Sequence, residues 1–123
     1  MANELTVTGS LTGYKASVMS SAVARSVTGA TFGMSGNYWV EGVQLIGTAP
    51  TAIGLGGVTA PHWAYFHNLD AGNYVTIRNG SGGADLLKLL AGEYAFCPLL
   101  DTGTPYAVAN TAAVLLEYMI FSL

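Results

Sequence analysis

Cysteine is almost missing from this chain. Cys97 stands alone, so neither an internal disulfide nor a cysteine-based zinc site can form, and its simplest role is a small buried hydrophobe in a strand. Charge is scarce as well: charged residues make up 9% of the chain, against roughly 25% in ordinary soluble domains. Basic side chains are the scarcest, with Lys15, Arg25, Arg78 and Lys88 scattered singly and a net charge of −3. A protein that neutralises several phosphates needs a cluster of them, so nucleic acid is not an expected partner. Long apolar runs are also lacking. The longest charge-free stretch, Gly42 to Leu69, is broken by Gly47, Pro50, Gly54, Gly56, Gly57 and Pro61, whereas a spanning helix needs about 20 apolar residues in sequence. The apolar tail from Ala112 to Leu123 is shorter and holds Glu117. No basic region followed by an apolar one opens the sequence, so neither a membrane partner nor a secretory signal is expected.

Familiar chemical motifs are missing too. Gly33-Met34-Ser35-Gly36-Asn37 begins like a nucleophile elbow but places its second glycine one residue early, without a strand-then-helix context. Gly29, Gly33 and Gly36 do not space as a dinucleotide fingerprint. His62 and His67 are the only histidines, and in a regular strand an odd separation puts them on opposite faces. A cupin-type site would need several histidines and a carboxylate converging. No metal, no other cofactor and no catalytic residue is expected, and the chain reads as a non-enzyme.

What remains is apolar and β-forming. Hydrophobic residues make up 51% of 123 residues, a length suited to one domain spanning 1–123 with a single modest core. High apolar content with little charge implies that other chains cover part of the folded surface.

Glu4 to Met19 alternates loosely and fits one or two exposed strands, and Ser20 to Val27 a further short one; Thr28 to Asn37 reads as a glycine-rich loop or irregular edge. From Tyr38 to Ile46 the alternation is firm, with Trp39, Glu41, Val43 and Leu45 on one face. Gly47 to Pro61 is a connection holding a brief strand near Ile53. His62 to Ser81 reads as a hairpin around Asn68-Leu69-Asp70-Ala71-Gly72-Asn73, whose residue types bend a backbone easily. Its first arm sets Trp63 and Tyr65 on one face. Asp85 to Leu90, a strand or a helical turn, leads through Ala91-Gly92-Glu93 into the alternating Tyr94, Phe96 and Pro98, a second hairpin. Tyr106 to Ala109 and Ala113 to Phe121 make a last pair. In the final strand Val114, Leu116, Tyr118 and Ile120 share one face, while Leu115, Met119 and Phe121 dominate the other. About eight or nine short strands with turn signals roughly every ten residues mark an all-β protein, an antiparallel sandwich or barrel.

The carboxylates fall mostly in turns, where backbone bonding explains them. Trp39, Trp63, Tyr65 and Tyr74 could form a sugar-stacking platform, but aromatics at strand spacing more often serve a core or a subunit interface. The residues expected at an interface with other subunits are Trp39, Trp63, Tyr65, Leu115, Met119 and Phe121.

Several segments carry a resemblance: Val43-Gln44-Leu45-Ile46-Gly47-Thr48, Leu55-Gly56-Gly57-Val58, Ala64 to Val75, Leu87 to Glu93, and Thr111 to Tyr118. Together they are similar to small β-rich structural proteins of tailed bacteriophages, most specifically in the Asn-Leu-Asp-x-x-Asn turn and the Leu-x-Ala-Gly-Glu turn after it. The resemblance covers the last two-thirds of the chain. It implies a virion component, assembled in the host cytoplasm, of the capsid decoration (cement) type. Such a protein would be a jelly-roll-like sandwich that self-associates, as a homotrimer, and binds the major capsid protein. A tail or fibre-base subunit is the alternative within the particle, and a carbohydrate-binding jelly roll the alternative outside it.

Overall fold

The computed structural model describes residues 4–13, 21, 23–33, 38–100 and 103–122. Among them the chain is all β, without a helix. Its strands are β1 (Glu4–Gly13), β2 (Val23–Gly33), β3 (Trp39–Ile46), β4 (Thr51–Ala52), β5 (Pro61–Asn68), β6 (Val75–Asn79), β7 (Asp85–Leu89), β8 (Tyr94–Pro98), β9 (Pro105–Ala109) and β10 (Val114–Ser122). The chain divides into two compact units, Met1–Ser35 and Gly36–Leu123, where one sandwich across the whole length was expected. The Gly-x-Ser stretch at 33–37 lies largely outside the described residues.

The first unit contains a two-stranded antiparallel sheet, β1 with β2. β2 runs on to Gly33, through residues expected to form a loop or irregular edge. Gly29 makes this possible: at φ 62° it takes a left-handed conformation that suits glycine. There the pairing slips from Val7↔Ala30 to Gly9↔Val27, a bulge that sets Thr28 and Gly29 against Thr8. The Thr8 hydroxyl oxygen accepts the Gly29 N–H at 2.9 Å and holds the bulge. Because one extra residue is absorbed, side-chain parity is kept along the ribbon. Leu5, Val7 and Leu11 therefore share a face with Phe32, Ala30, Val27 and Arg25, while Thr6, Thr8, Ser10 and Thr12 share the other.

The second unit is a β-sandwich. One sheet has the order β3-β10-β5-β8, the other β4-β9-β6-β7, all neighbours antiparallel. Folding the chain back at the β6–β7 turn sets β7 beside β6, β8 beside β5, β9 beside β4 and β10 beside β3. That turn needs glycine, since a Cβ at Gly83 would lie 1.8 Å from the Asn79 carbonyl oxygen. Every other connection between consecutive strands from β3 onward passes from one sheet to the other. The expected hairpins β5–β6, β7–β8 and β9–β10 are thus crossovers: their turns have hairpin residue types, but their arms lie in different layers.

The inward residues are those the alternation selects. Ile46, Ala64, Phe66, Leu116, Tyr118 and Ile120 of one sheet face Val75, Ile77, Leu89, Ala107 and Ala109 of the other, closed by Ile53, Val58 and Leu99. Asp85–Leu89 is a strand, which resolves the helix-or-strand ambiguity there. At one end of the sandwich the crossovers are tied together by side-chain amides. Buried Asn68 donates through Nδ2 to the carbonyls of Asn73 at 2.8 Å, Leu89 at 3.2 Å and Leu90 at 3.1 Å, and its Oδ1 accepts the Asp70 N–H at 3.0 Å. Asn110 Oδ1 accepts the Tyr74 N–H at 3.1 Å, and Thr111 donates to Asn73 Oδ1 at 2.7 Å. The Leu90 N–H is accepted by the Glu93 carboxylate at 2.8 Å. The turns at 68–73 and 89–93 are therefore bonded to each other, and their polar residues are scaffold.

Candidate functional site

Strand register decides what the sandwich presents outward. On the β3-β10-β5-β8 sheet the outward positions align in rows across the strands. One row is Val43, Glu117, His67 and Tyr94; the next is Glu41, Met119, Tyr65 and Phe96; the next is Trp39, Phe121, Trp63 and Pro98, with Leu45 opposite Leu115 beyond. Trp39, Trp63, Tyr65, Leu115, Met119 and Phe121, which arise from three separate segments, thus meet on one face. β10 explains the gathering: it is flanked by β3 and β5, so its outward residues stand between theirs.

Rings pack against one another on this face. Trp39 stacks on Phe121 at 6.2 Å and Tyr65 on Phe96 at 5.3 Å, while Tyr94 meets Phe96 edge-on at 6.0 Å and His67 meets Tyr94 edge-on at 5.9 Å. Yet the layer is open above: Leu45 is 62% and Tyr94 63% exposed. Large exposed apolar residues gathered on one face are a common feature of interaction surfaces.

Polar groups are few and grouped. The Tyr65 hydroxyl donates to Glu117 Oε1 at 2.7 Å, and His67 Nδ1 lies 3.7 Å from the same oxygen. Desolvation first, then the hydrogen bond to Glu117 and its negative charge, push the Tyr65 phenol up to about 12. Glu41 lies diagonal to Glu117, the two separated by one step along the strands. A shallow cleft runs between them, lined by Val43, Tyr65 and Met119. Among the described residues no group of three or more His, Cys, Asp or Glu is arranged to hold a metal.

Tyr74 does not belong to this platform. It precedes β6 of the other sheet, where Lys88 Nζ sits 4.0 Å above its ring. Tyr94 and Phe96, in contrast, were not singled out as site residues although they complete the layer. Their alternation with Pro98 was visible, but nothing in the sequence set β8 beside β5. Half-buried Cys97 points the other way, against the core, and burial pushes its thiol pKa up.

Comparisons with known protein families, with curated proteins and with solved structures give no match.

Proposed function

We propose that this chain is a structural subunit of a tailed-bacteriophage particle, a capsid decoration protein that self-associates and braces the major capsid shell without making or breaking bonds. The observation that carries the reading is the open aromatic layer on the β3-β10-β5-β8 sheet. A chain with so few charges that still leaves these rings uncovered is built to have them covered by other subunits. The strand order supports it: a hairpin of eight strands rolled into two sheets is the connectivity of a jelly roll, an architecture used by viral capsid and lectin domains. Architecture alone selects no function among these; the character of the face does. The resemblance of the turn segments to phage structural proteins points the same way.

In this mechanism each copy buries apolar surface worth about 25 cal/mol per Å² against its neighbours, offset by the cost of association. Repetition over a lattice lets modest single contacts add by multivalency. Co-sedimentation with expanded, undecorated capsids of the phage that encodes the chain tests the proposal. Saturable binding at a copy number that scales with the capsomers is expected. No binding overturns it, and a few copies per particle would instead assign the chain to the tail or fibre base.

The stacked Tyr65–Phe96 pair beside the Glu117 carboxylate favours one further reading, a carbohydrate-binding face. Saccharide binding on a glycan array that is lost in Phe96→Ala would establish it; an array without hits removes it.

A further inference from the structure

The turn that folds β7 back on β6 holds a reactive pair that neither the sandwich nor its outer face uses. Its sequence is Asn79-Gly80-Ser81-Gly82-Gly83. Among the described residues Asn79 is the one asparagine followed by glycine, and the other three are held. Asn68 is buried and donates to three carbonyls, and the N–H after it, of Leu69, is bonded to the Leu115 carbonyl at 3.0 Å. Asn73 bonds through both side-chain polar atoms, and the N–H after it, of Tyr74, is bonded to Asn110 Oδ1 at 3.1 Å. That contact also fixes Asn110, which precedes the β-branched Thr111. Nothing fixes the pair at 79 and 80. Neither the Asn79 side-chain amide nor the Gly80 N–H makes a hydrogen bond among the described residues. Both residues are half-buried, with Ser81 and Gly82 exposed beyond them. The backbone can yield there as well. The bonds that close the turn, from the Asn79 N–H to the Ala84 carbonyl at 3.3 Å and from the Gly83 N–H to the Gly80 carbonyl at 3.2 Å, are long. Gly80, at φ 90°, has no Cβ to shield its nitrogen.

We propose that Asn79-Gly80 is a self-modifying site, at which the folded chain converts its own asparagine to aspartate and isoaspartate. The Gly80 nitrogen, giving its proton to base, bonds to Asn79 Cγ; the Cγ–Nδ2 bond breaks, and ammonia leaves with a proton returned from solvent. The cyclic imide that results is opened by water. Cleavage of the new bond from nitrogen to Cγ gives aspartate. Cleavage of the original peptide bond leaves the main chain running through Cγ, as isoaspartate. Either way NH is exchanged for O, and water is the only co-reactant. The isoaspartate product lengthens the main chain by a methylene at the point where the strands double back, next to the Arg78↔Asp85 pairing of β6 with β7. The site lies wholly within the second unit, so it depends neither on what covers an outer face nor on the function proposed above.

Ageing of the full-length protein at mildly alkaline pH, followed by proteolysis and mass spectrometry, tests this. Of the peptides carrying Asn68, Asn73, Asn79 and Asn110, the one with Asn79 should be the first to gain the mass of NH exchanged for O. An isoaspartyl methyltransferase should then label it. Folded protein and protein in urea should convert Asn79 at rates within about tenfold of each other, as expected where local opening costs little. Gly80→Ala should slow the reaction at least about fivefold, by restricting the backbone. Asn79→Gln should abolish it, because the larger ring closes far more slowly. Alanine is strained at φ 90°, so Asn79→Gln and the urea comparison carry the test independently. Conversion of Asn79 in urea alone overturns the proposal. So does conversion that trails Asn68, Asn73 or Asn110 in the folded protein, or a mass gain undiminished by Asn79→Gln.

Discussion

The two outer faces of the sandwich follow the same alternation but end differently. On the β4-β9-β6-β7 sheet long cationic side chains stand among the outward residues, although Leu86 is exposed. Arg78 reaches across to Asp85 with 2.7 Å between Nε and Oδ1, and Lys88 lies over Tyr74. Their aliphatic stems cover apolar surface while the charges stay in water, and Thr76, Tyr106 and Val108 are left buried or half-buried. The β3-β10-β5-β8 face has no lysine or arginine. Its charges are carboxylates on shorter stems, so the rings of Trp39, Tyr94 and Phe96 remain open. One sheet sets cationic side chains beside its outward rings; the other leaves rings bare, and the proposed neighbouring subunits would cover them.

The largest expected effect removes the scaffold on which both faces depend. Asn68→Asp would turn an acceptor with negative charge toward the Asn73, Leu89 and Leu90 carbonyls that now receive N–H bonds. A loss of at least about 3 kcal/mol is expected in urea unfolding, with both faces disordered together. If only one face were lost, the two would not share a scaffold. Next in size is the contrast itself. Trp39→Ala and Phe96→Ala should each weaken self-association by about 2 kcal/mol, roughly thirtyfold, as buried aromatic anchors do. Tyr106→Ala on the opposite face should leave sedimentation unchanged. Equal effects on the two faces would erase the distinction.

A smaller effect concerns pH. The folded-state pKa of Tyr65, about 12, lies above its ordinary value of 10.0. The neutral phenol thus contributes stability below pH 10, and that contribution is lost as pH rises from 10 toward 12. In unfolding experiments across this window Tyr65→Phe should fall less steeply than wild type; identical slopes would mean that neither burial nor Glu117 raises the phenol's pKa in the folded protein. Smallest of all, Arg78→Ala should cost less than about 1 kcal/mol, the range of an exposed ion pair. It should also make the β4-β9-β6-β7 face stickier in hydrophobic-dye binding.

Much of this was legible in the sequence, because parity is a local property. The alternations at 39–45, 63–65 and 115–121 put the right residues outward before any strand was paired. Pairing is not local. The turn at 68–73 has the Asn, Asp and Gly of a hairpin, and Asp70 does accept the Gly72 N–H at 2.9 Å, yet its arms enter opposite sheets. Nothing in a turn of this kind says whether the chain doubles back within a layer or crosses to the other, and so the neighbours of β5 and the place of Tyr94 and Phe96 stayed hidden. Nor did the glycines at 29 and 33 decide between a loop and the irregular, bulged strand that forms. Asn68 looked like a turn residue; its fuller role, clamping two crossovers from a buried position, depends on the end of β7 in the other sheet coming within reach of its side chain.

The central claim is that other subunits cover the β3-β10-β5-β8 face in the assembled state. Hydroxyl-radical footprinting of the protein, dilute and then concentrated, tests it most directly. Protection of Trp39, Tyr94, Phe96 and Leu45 on concentration, with Tyr106 and Leu86 unchanged, is the expected result. Rings on that face that oxidise equally in both states, or protection confined to the opposite sheet, would contradict the account.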